Sequence, residues 1–340
     1  MTADVMFDIP TVLSADEILD KAFKRASKIE HTGVTRLETV REINIAKLKS
    51  SSDTIVTTMG KYVKAFPSIG KLSPFYSELI DMTVGTDKLR KALGAIDWSR
   101  GQVAKISKQA VRDVSAAEKI GWIDEIRRGA YGRISSVVKQ VSKELDLLAS
   151  ARNTIRKFPT VSPDDPTIVI AGAPNVGKSQ LIGRISTAKP RVAVYPFTTQ
   201  EISVGMFEKK YLRYQVIDTP GLLDRPFDQR NAIELRAVLA LRHLADAIVF
   251  VMDPSETCGY PMSEQEHLLH EIETEFKGVL MFVVENKLDI VSSPSERRKI
   301  SAETGAGVQE LVDDVVAALR AKAAAPRGDE APQPSPQQHL

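Results

Sequence analysis

The chain has 340 residues, 43% of them apolar and 26% charged, with a net charge of +2. No apolar run is long enough to span a bilayer, Met1–Val5 lacks the basic-then-apolar order of a secretory leader, and Cys258, the only cysteine, excludes an internal disulfide and a thiolate metal cluster. Length and composition predict a soluble protein of two domains with no membrane partner, and the single cysteine fits a reducing cytosol; a monomer is expected.

Residues 1–157 read as a basic domain of long helices. Ser14 and Glu17 have the spacing of a reciprocal N-terminal cap. Leu37 to Val63 carries apolar residues at mixed steps of three and four, and Pro67 and Pro74 bracket a break after it. Ile134, Val137, Val141, Leu145 and Leu148 form one apolar stripe of a further helix, with Arg133, Lys139 and Lys143 facing elsewhere. A bundle of about four or five helices is the simplest packing of such stripes. Trp98 and Trp122 have helical neighbours and are expected as core anchors rather than as stacking groups for a nucleic acid. Residues 1–160 hold 27 Lys and Arg against 19 Asp and Glu, whereas residues 161–340 hold 19 against 25. The basic excess fits either a polyanionic partner or a solvated helical surface. Under the first reading, the candidate phosphate contacts are Arg127, Arg128, Arg133, Lys139 and Lys143.

Residues 158–166 contain three prolines and read as a linker. From 167 to 322 strands and helices alternate, with strands expected at 167–171, 201–208, 211–217, 246–252, 279–284 and 298–300. Lys209 and Lys210 are the expected turn between the second and third strands. Helices are expected near 178–187, 231–244, 263–276 and 307–321, the third capped by Ser263 and Glu266. Residues 323–340 are rich in Ala, Pro and Gln and are expected to be a disordered tail.

Gly172-Ala173-Pro174-Asn175-Val176-Gly177-Lys178-Ser179 is a phosphate-binding loop set between an apolar strand and a helix. Its backbone N–H groups, that of Gln180 included, and the helix N-terminus would hold phosphate oxygens. Lys178 would reach the β- and γ-phosphates, and the Ser179 hydroxyl would ligate Mg²⁺. Asp218, at the end of the third strand, can hold Mg²⁺ through water, and the Gly221 N–H can meet a γ-phosphate. Asn286-Lys287-Leu288-Asp289 follows the strand at 279–284. The Asp289 carboxylate can accept from N1 and the 2-amino group of guanine, and adenine would leave it buried and unpaired. The Lys287 stem can lie along the base, and Ser301-Ala302 can offer a backbone N–H to the guanine oxygen. In Tyr195–Thr199 one of two threonines, Thr198 or Thr199, would complete the Mg²⁺ shell, with Thr199 favoured. Loss of that contact on hydrolysis would release the segment. His267 and His270 lack a third ligand, and Cys258 lies among acids; neither is assigned chemistry.

These five segments resemble the translation-factor-related GTPases across 167–321. The stretch 195–260, with DTPGLLDRP and RNAIE, is more specifically similar to the Obg-related nucleolar GTP-binding protein family, short archaeal members in particular. The resemblance implies an α + α/β chain: an all-helical N-terminal bundle, then a Ras-like P-loop GTPase domain with a mixed, mostly parallel six-stranded sheet. It also implies GTP and GDP as ligands, Mg²⁺ on Ser179, Thr199 and Asp218, and Lys178, Thr199 and Gly221 as the groups assisting hydrolysis. Leu222 stands where related enzymes carry a water-orienting glutamine, so unaided hydrolysis is expected to be slow. Asn175 is either a K⁺ ligand, as in related leucine-bearing enzymes, or a residue that shapes the loop. Gln180 departs from the small hydroxyl residue usual after Ser179. The implied role is assembly of the large ribosomal subunit, with its precursor and rRNA as partners.

Overall fold

A computed structural model describes residues 8–31, 33–162, 164–187, 190–194, 201–218, 221–227 and 230–324. They form two compact units that divide between Thr160 and Val161. The division falls inside the proline-rich stretch, and both sides of it are bonded rather than free. Tyr76 Oη donates to Pro159 O at 2.8 Å in the first unit. In the second, the Gln215 amide exchanges two hydrogen bonds of 2.8 Å with the Ser162 backbone.

The first unit holds six α-helices among the described residues: α1 Ala15–Ser27, α2 Arg36–Ala65, α3 Pro74–Thr83, α4 Thr86–Ala116, α5 Ile120–Gln140 and α6 Ser142–Ile155. The Ser14–Glu17 capping box is present, and a second joins Thr35 to Glu38. Pro74 opens α3 at the first turn, where its missing N–H costs nothing. The expected single helix over 134–148 is two, because the backbone leaves helical geometry at Val141 (φ −103°, ψ 21°). The buried stripe across that break runs through Ile134, Val138, Val141, Leu145 and Leu148, so Val138 replaces the expected Val137. Around Leu48, Ala110, Val114, Ile123 and Ala130, helices α2, α4 and α5 share one core.

Trp98 and Trp122 are not core anchors: they are 50% and 53% exposed. The Trp122 ring is covered in part by the Lys119 ammonium, 4.9 Å from its centroid. Arg127 faces inward instead. Its Nε donates to the buried Asn44 Oδ1 at 2.6 Å and its guanidinium lies 5.5 Å from the Tyr131 ring centroid. Arg128, Arg133, Lys139 and Lys143 are exposed, and Lys139 pairs with Asp16 at 3.0 Å.

The second unit is a seven-stranded sheet in the order β2-β3-β4-β1-β5-β6-β7, one strand more than expected. The strands are β1 Thr167–Ala171, β2 Arg191–Val194, β3 Glu201–Lys209, β4 Leu212–Asp218, β5 Ala247–Met252, β6 Leu280–Glu285 and β7 Arg298–Lys299. The additional strand is β2, four residues at the sheet edge, paired antiparallel to β3. β3 and β4 are also antiparallel, and every other pairing is parallel. β1 and β5 are buried at every position, as central parallel strands with covered faces must be.

Helices α7 Lys178–Ile185, α8 Ala232–Ala240, α9 Met262–Glu275 and α10 Val308–Ala324 complete the unit. The β3–β4 turn is Lys210-Tyr211, one residue later than expected, with φ of 50° and 65°. Two left-handed residues match the right-handed twist of the hairpin strands, and here no glycine is used. Ser263 does not cap α9. The helix starts at Met262, whose N–H is taken by Glu256 Oε1 at 2.8 Å, while Glu266 pairs with Arg297 at 2.5 and 2.9 Å. α10 runs two residues into the expected tail, and 325–340 lie outside the described residues.

Candidate nucleotide-binding site

Parallel register brings the chemistry to one edge of the sheet. Ile170 of β1 lies opposite Asp218 of β4, and Val251 and Met252 of β5 lie opposite Val284 and Glu285 of β6. The loops leaving these strands therefore open on the same side, at the carboxyl ends where such sheets take ligands.

The loop after β1 is fixed by its glycines. A Cβ on Gly172 (φ +135°) would lie 2.2 Å from Val251 O, and one on Gly177 (φ +102°) would lie 2.2 Å from Asn286 Nδ2. Only glycine tolerates both the dihedrals and the approach. Ala173 and Val176 are buried, whereas Pro174 is half-buried. Asn175 is exposed and left-handed (φ 61°), a conformation that asparagine adopts readily and that is compatible with either of its two readings. Lys178 is 7% exposed, and its ammonium donates to Gly172 O and Ala173 O, each at 2.8 Å. Burial lowers its pKa, against the opposing pull of Asp224 and Asp218.

Ser179 Oγ donates to Asp218 Oδ2 at 2.5 Å, so the two described candidate Mg²⁺ ligands meet. A hydroxyl and a carboxylate oxygen at one point are the hard donors that Mg²⁺ prefers. Thr198 and Thr199 lie outside the described residues, as does the rest of 195–200. The Gly221 N–H donates to Asp224 Oδ2 at 2.6 Å. Leu222, the next residue, is fully buried.

The base-recognition segments are tied to the phosphate loop by Asn286. Its Nδ2 donates to Val176 O and its Oδ1 accepts from Ala302 N, both at 2.8 Å. Asn286 thus acts as a buried strut between two loops. Asp289 is exposed rather than buried in the protein alone, and accepts from the hydroxyl of the buried Ser301. Gln180 Nε2 donates to Glu303 Oε2 at 2.9 Å. Arg184 of α7 adds bonds to the carbonyls of Ala302 and Glu303.

Asp253, just past β5, is a site residue that sequence reasoning missed. Lys287 Nζ donates to Asp253 Oδ2 at 2.6 Å and to Thr257 Oγ1 at 2.8 Å, which orients the stem assigned to the base. Burial opposes ionisation of Asp253, but hydrogen bonds from Lys287, Ser255 and the Cys258 N–H outweigh it and hold the carboxyl below its usual range. Its position after an apolar strand is the signal that located Asp218, and it could have served here. The Cys258 thiol is pushed up by burial.

The helical unit followed by this sheet and loop set defines a P-loop GTPase fold with an N-terminal helical domain. Residues 7–162 match the family described as NOG1 N-terminal helical domain, and residues 232–289 match that described as Nucleolar GTP-binding protein 1. An uncharacterized protein of Methanocaldococcus jannaschii is 37% identical over 287 residues, 83% of this chain and 80% of that protein. Nucleolar GTP-binding protein 1 of Drosophila melanogaster is 33% identical over 84% of this chain, which spans 44% of the fly protein's length. A crystal structure from Plasmodium falciparum assigned as nucleolar GTP-binding protein 1 is 33% identical, covers 49% of this chain and 92% of that one, and has a TM-score of 0.43. The chain belongs to the nucleolar GTP-binding protein 1 family of Obg-related P-loop GTPases.

Proposed function

We propose that this protein is a GTP-binding, GTP-hydrolysing switch that assists assembly of the large ribosomal subunit in the cytoplasm. The observation that carries nucleotide binding is the Asn286 strut, which joins phosphate loop and base loops into one hydrogen-bonded frame. The base specificity rests on Asp289, whose exposed carboxylate is open to a guanine edge. Lys178 and the Gly221 N–H would stabilise charge on the γ-phosphate, and Thr199 would join Ser179 and Asp218 around Mg²⁺. Bound Mg²⁺ would neutralise charge on the phosphate oxygens. Asn175 could add K⁺ from its exposed position.

The ribosomal role is supported by the family name and by the basic excess of residues 1–160. The exposed Arg128, Arg133 and Lys143 supply candidate phosphate contacts to rRNA. Leu222 has no hydrogen-bonding group to orient water, which favours slow unaided hydrolysis and keeps a nucleotide-stabilised RNA-binding scaffold as the second reading. Single-turnover hydrolysis with and without large-subunit precursors separates the two. Stimulation by the particle supports the switch, and an unchanged negligible rate supports the scaffold. Recovery of the protein on large-subunit precursors with a non-hydrolysable GTP analogue tests the partner; recovery only on translating ribosomes or tRNA would replace it.

A further inference from the structure

The turn after β4 carries a carboxylate on one of its own backbone N–H groups. The Gly221 N–H, the donor assigned to a γ-phosphate, gives its hydrogen bond to Asp224 Oδ2 at 2.6 Å. The same turn is clasped from its other side by Arg230, whose Nη1 donates to Gly221 O at 3.1 Å and Nη2 to Arg225 O at 2.9 Å. A carboxylate oxygen and a terminal phosphate oxygen are the same kind of anionic acceptor, and two of them cannot share one N–H without repulsion.

We propose that Asp224 is a specificity-determining residue, its carboxylate standing in for the γ-phosphate so that a nucleoside triphosphate must displace it and a diphosphate need not. The inference rests on the guanine-nucleotide reading of this site. Asp224 is only half-buried, so the displaced side chain has solvent to enter. Gly221 has φ 73°, a left-handed conformation that favours glycine. The protein would thereby favour GDP over GTP more than its phosphate loop alone dictates. The plainer role for Asp224, a cap on a tight turn, depends on an acceptor oxygen and not on charge.

Asparagine at this position separates the two roles, because it keeps an acceptor and removes the charge. Affinities of the full chain for GDP and for a non-hydrolysable GTP analogue are measured with Mg²⁺ for wild type, Asp224→Asn and Asp224→Ala. The expected result is a rise of about tenfold in triphosphate affinity relative to GDP in Asp224→Asn, equivalent to about 1.4 kcal/mol, with GDP affinity held within about twofold. Asp224→Ala is expected to move the ratio the same way; should it fail to fold, Asp224→Asn decides alone. An unchanged ratio in a folded Asp224→Asn overturns the proposal and leaves the nucleotide site intact. A wild-type protein that binds neither nucleotide removes the guanine-nucleotide reading itself, and the proposal with it.

Discussion

The two units of this chain carry similar amounts of apolar sequence but constrain their polar residues very differently. In the sheet unit, Asp218, Asp253 and Asn286 each stand at the end of an apolar strand or just after it, and parallel register delivers them to one edge. In the helical unit, each residue turns about 100° from the last, so an error of one position carries a side chain from core to solvent. Val138 taking the place expected of Val137 is such an error, and the inward Arg127 is another. A strand end locates chemistry from local sequence, whereas a helix face is settled by what packs against it.

Mutations can break or sharpen this contrast. The largest effect is expected at Asp289. Changing it to Asn removes two charge-assisted hydrogen bonds of about 1.5–3 kcal/mol each, and so about 10²–10⁴-fold in GTP affinity. Xanthosine triphosphate should bind instead, since the amide can donate to its 2-oxygen; titration of both nucleotides gives the answer. Unaltered GTP affinity together with rejection of the xanthine nucleotide would falsify the assignment.

Next comes Leu222→Ala. Because Leu222 is fully buried, the substitution should cost about 2–5 kcal/mol of stability in urea unfolding. Hydrolysis per folded molecule should fall by only a small factor, as no water-orienting group is lost. A large loss of rate in stable protein would mean that this leucine shapes the reaction directly.

In the helical unit, Arg127→Ala should cost about 1–3 kcal/mol by stripping the buried Asn44 of a partner. Arg128→Ala, one residue away and exposed, should change stability by less than about 0.5 kcal/mol. Thermal melts that show the two alike would undo the distinction between inward and outward arginines.

Reversing Arg128, Arg133 and Lys143 to Glu should weaken binding to large-subunit precursors, with the salt dependence becoming shallower by about one unit of log–log slope per lost contact. GTP affinity should be unchanged. Particle binding equal to wild type across the salt range would mark these residues as a solvated face. Smallest of all, exchanging Na⁺ for K⁺ should raise the hydrolysis rate by a few-fold if Asn175 helps hold the ion, on the order of 1 kcal/mol in the barrier. Equal rates in both salts would leave Asn175 as a loop-shaping residue only.

Much of the sheet unit was legible because its signals are local. Apolar runs rich in β-branched residues ended within one or two residues of the observed strands. The glycines at 172 and 177 were needed for dihedrals and close approaches that no other residue allows. The edge strand β2 was missed because four residues on one side of a sheet bury too little to leave a pattern. Ser263 was misread because its spacing to Glu266 suits a cap, while the tertiary structure gives Glu266 to Arg297 and the helix start to Glu256.

By itself, the sequence determined the order of elements, the place of the phosphate loop and the residue types able to hold a guanine nucleotide, since all of these depend on neighbours along the chain. Tertiary structure alone decided that Asn286 links the loops, that Asp253 holds Lys287, that Asp224 occupies the Gly221 N–H and that both tryptophans stay outside. The first two join residues more than 30 positions apart, beyond the reach of any local pattern. The Asp224 contact is short in sequence, yet only the folded turn shows that its carboxylate takes the Gly221 N–H.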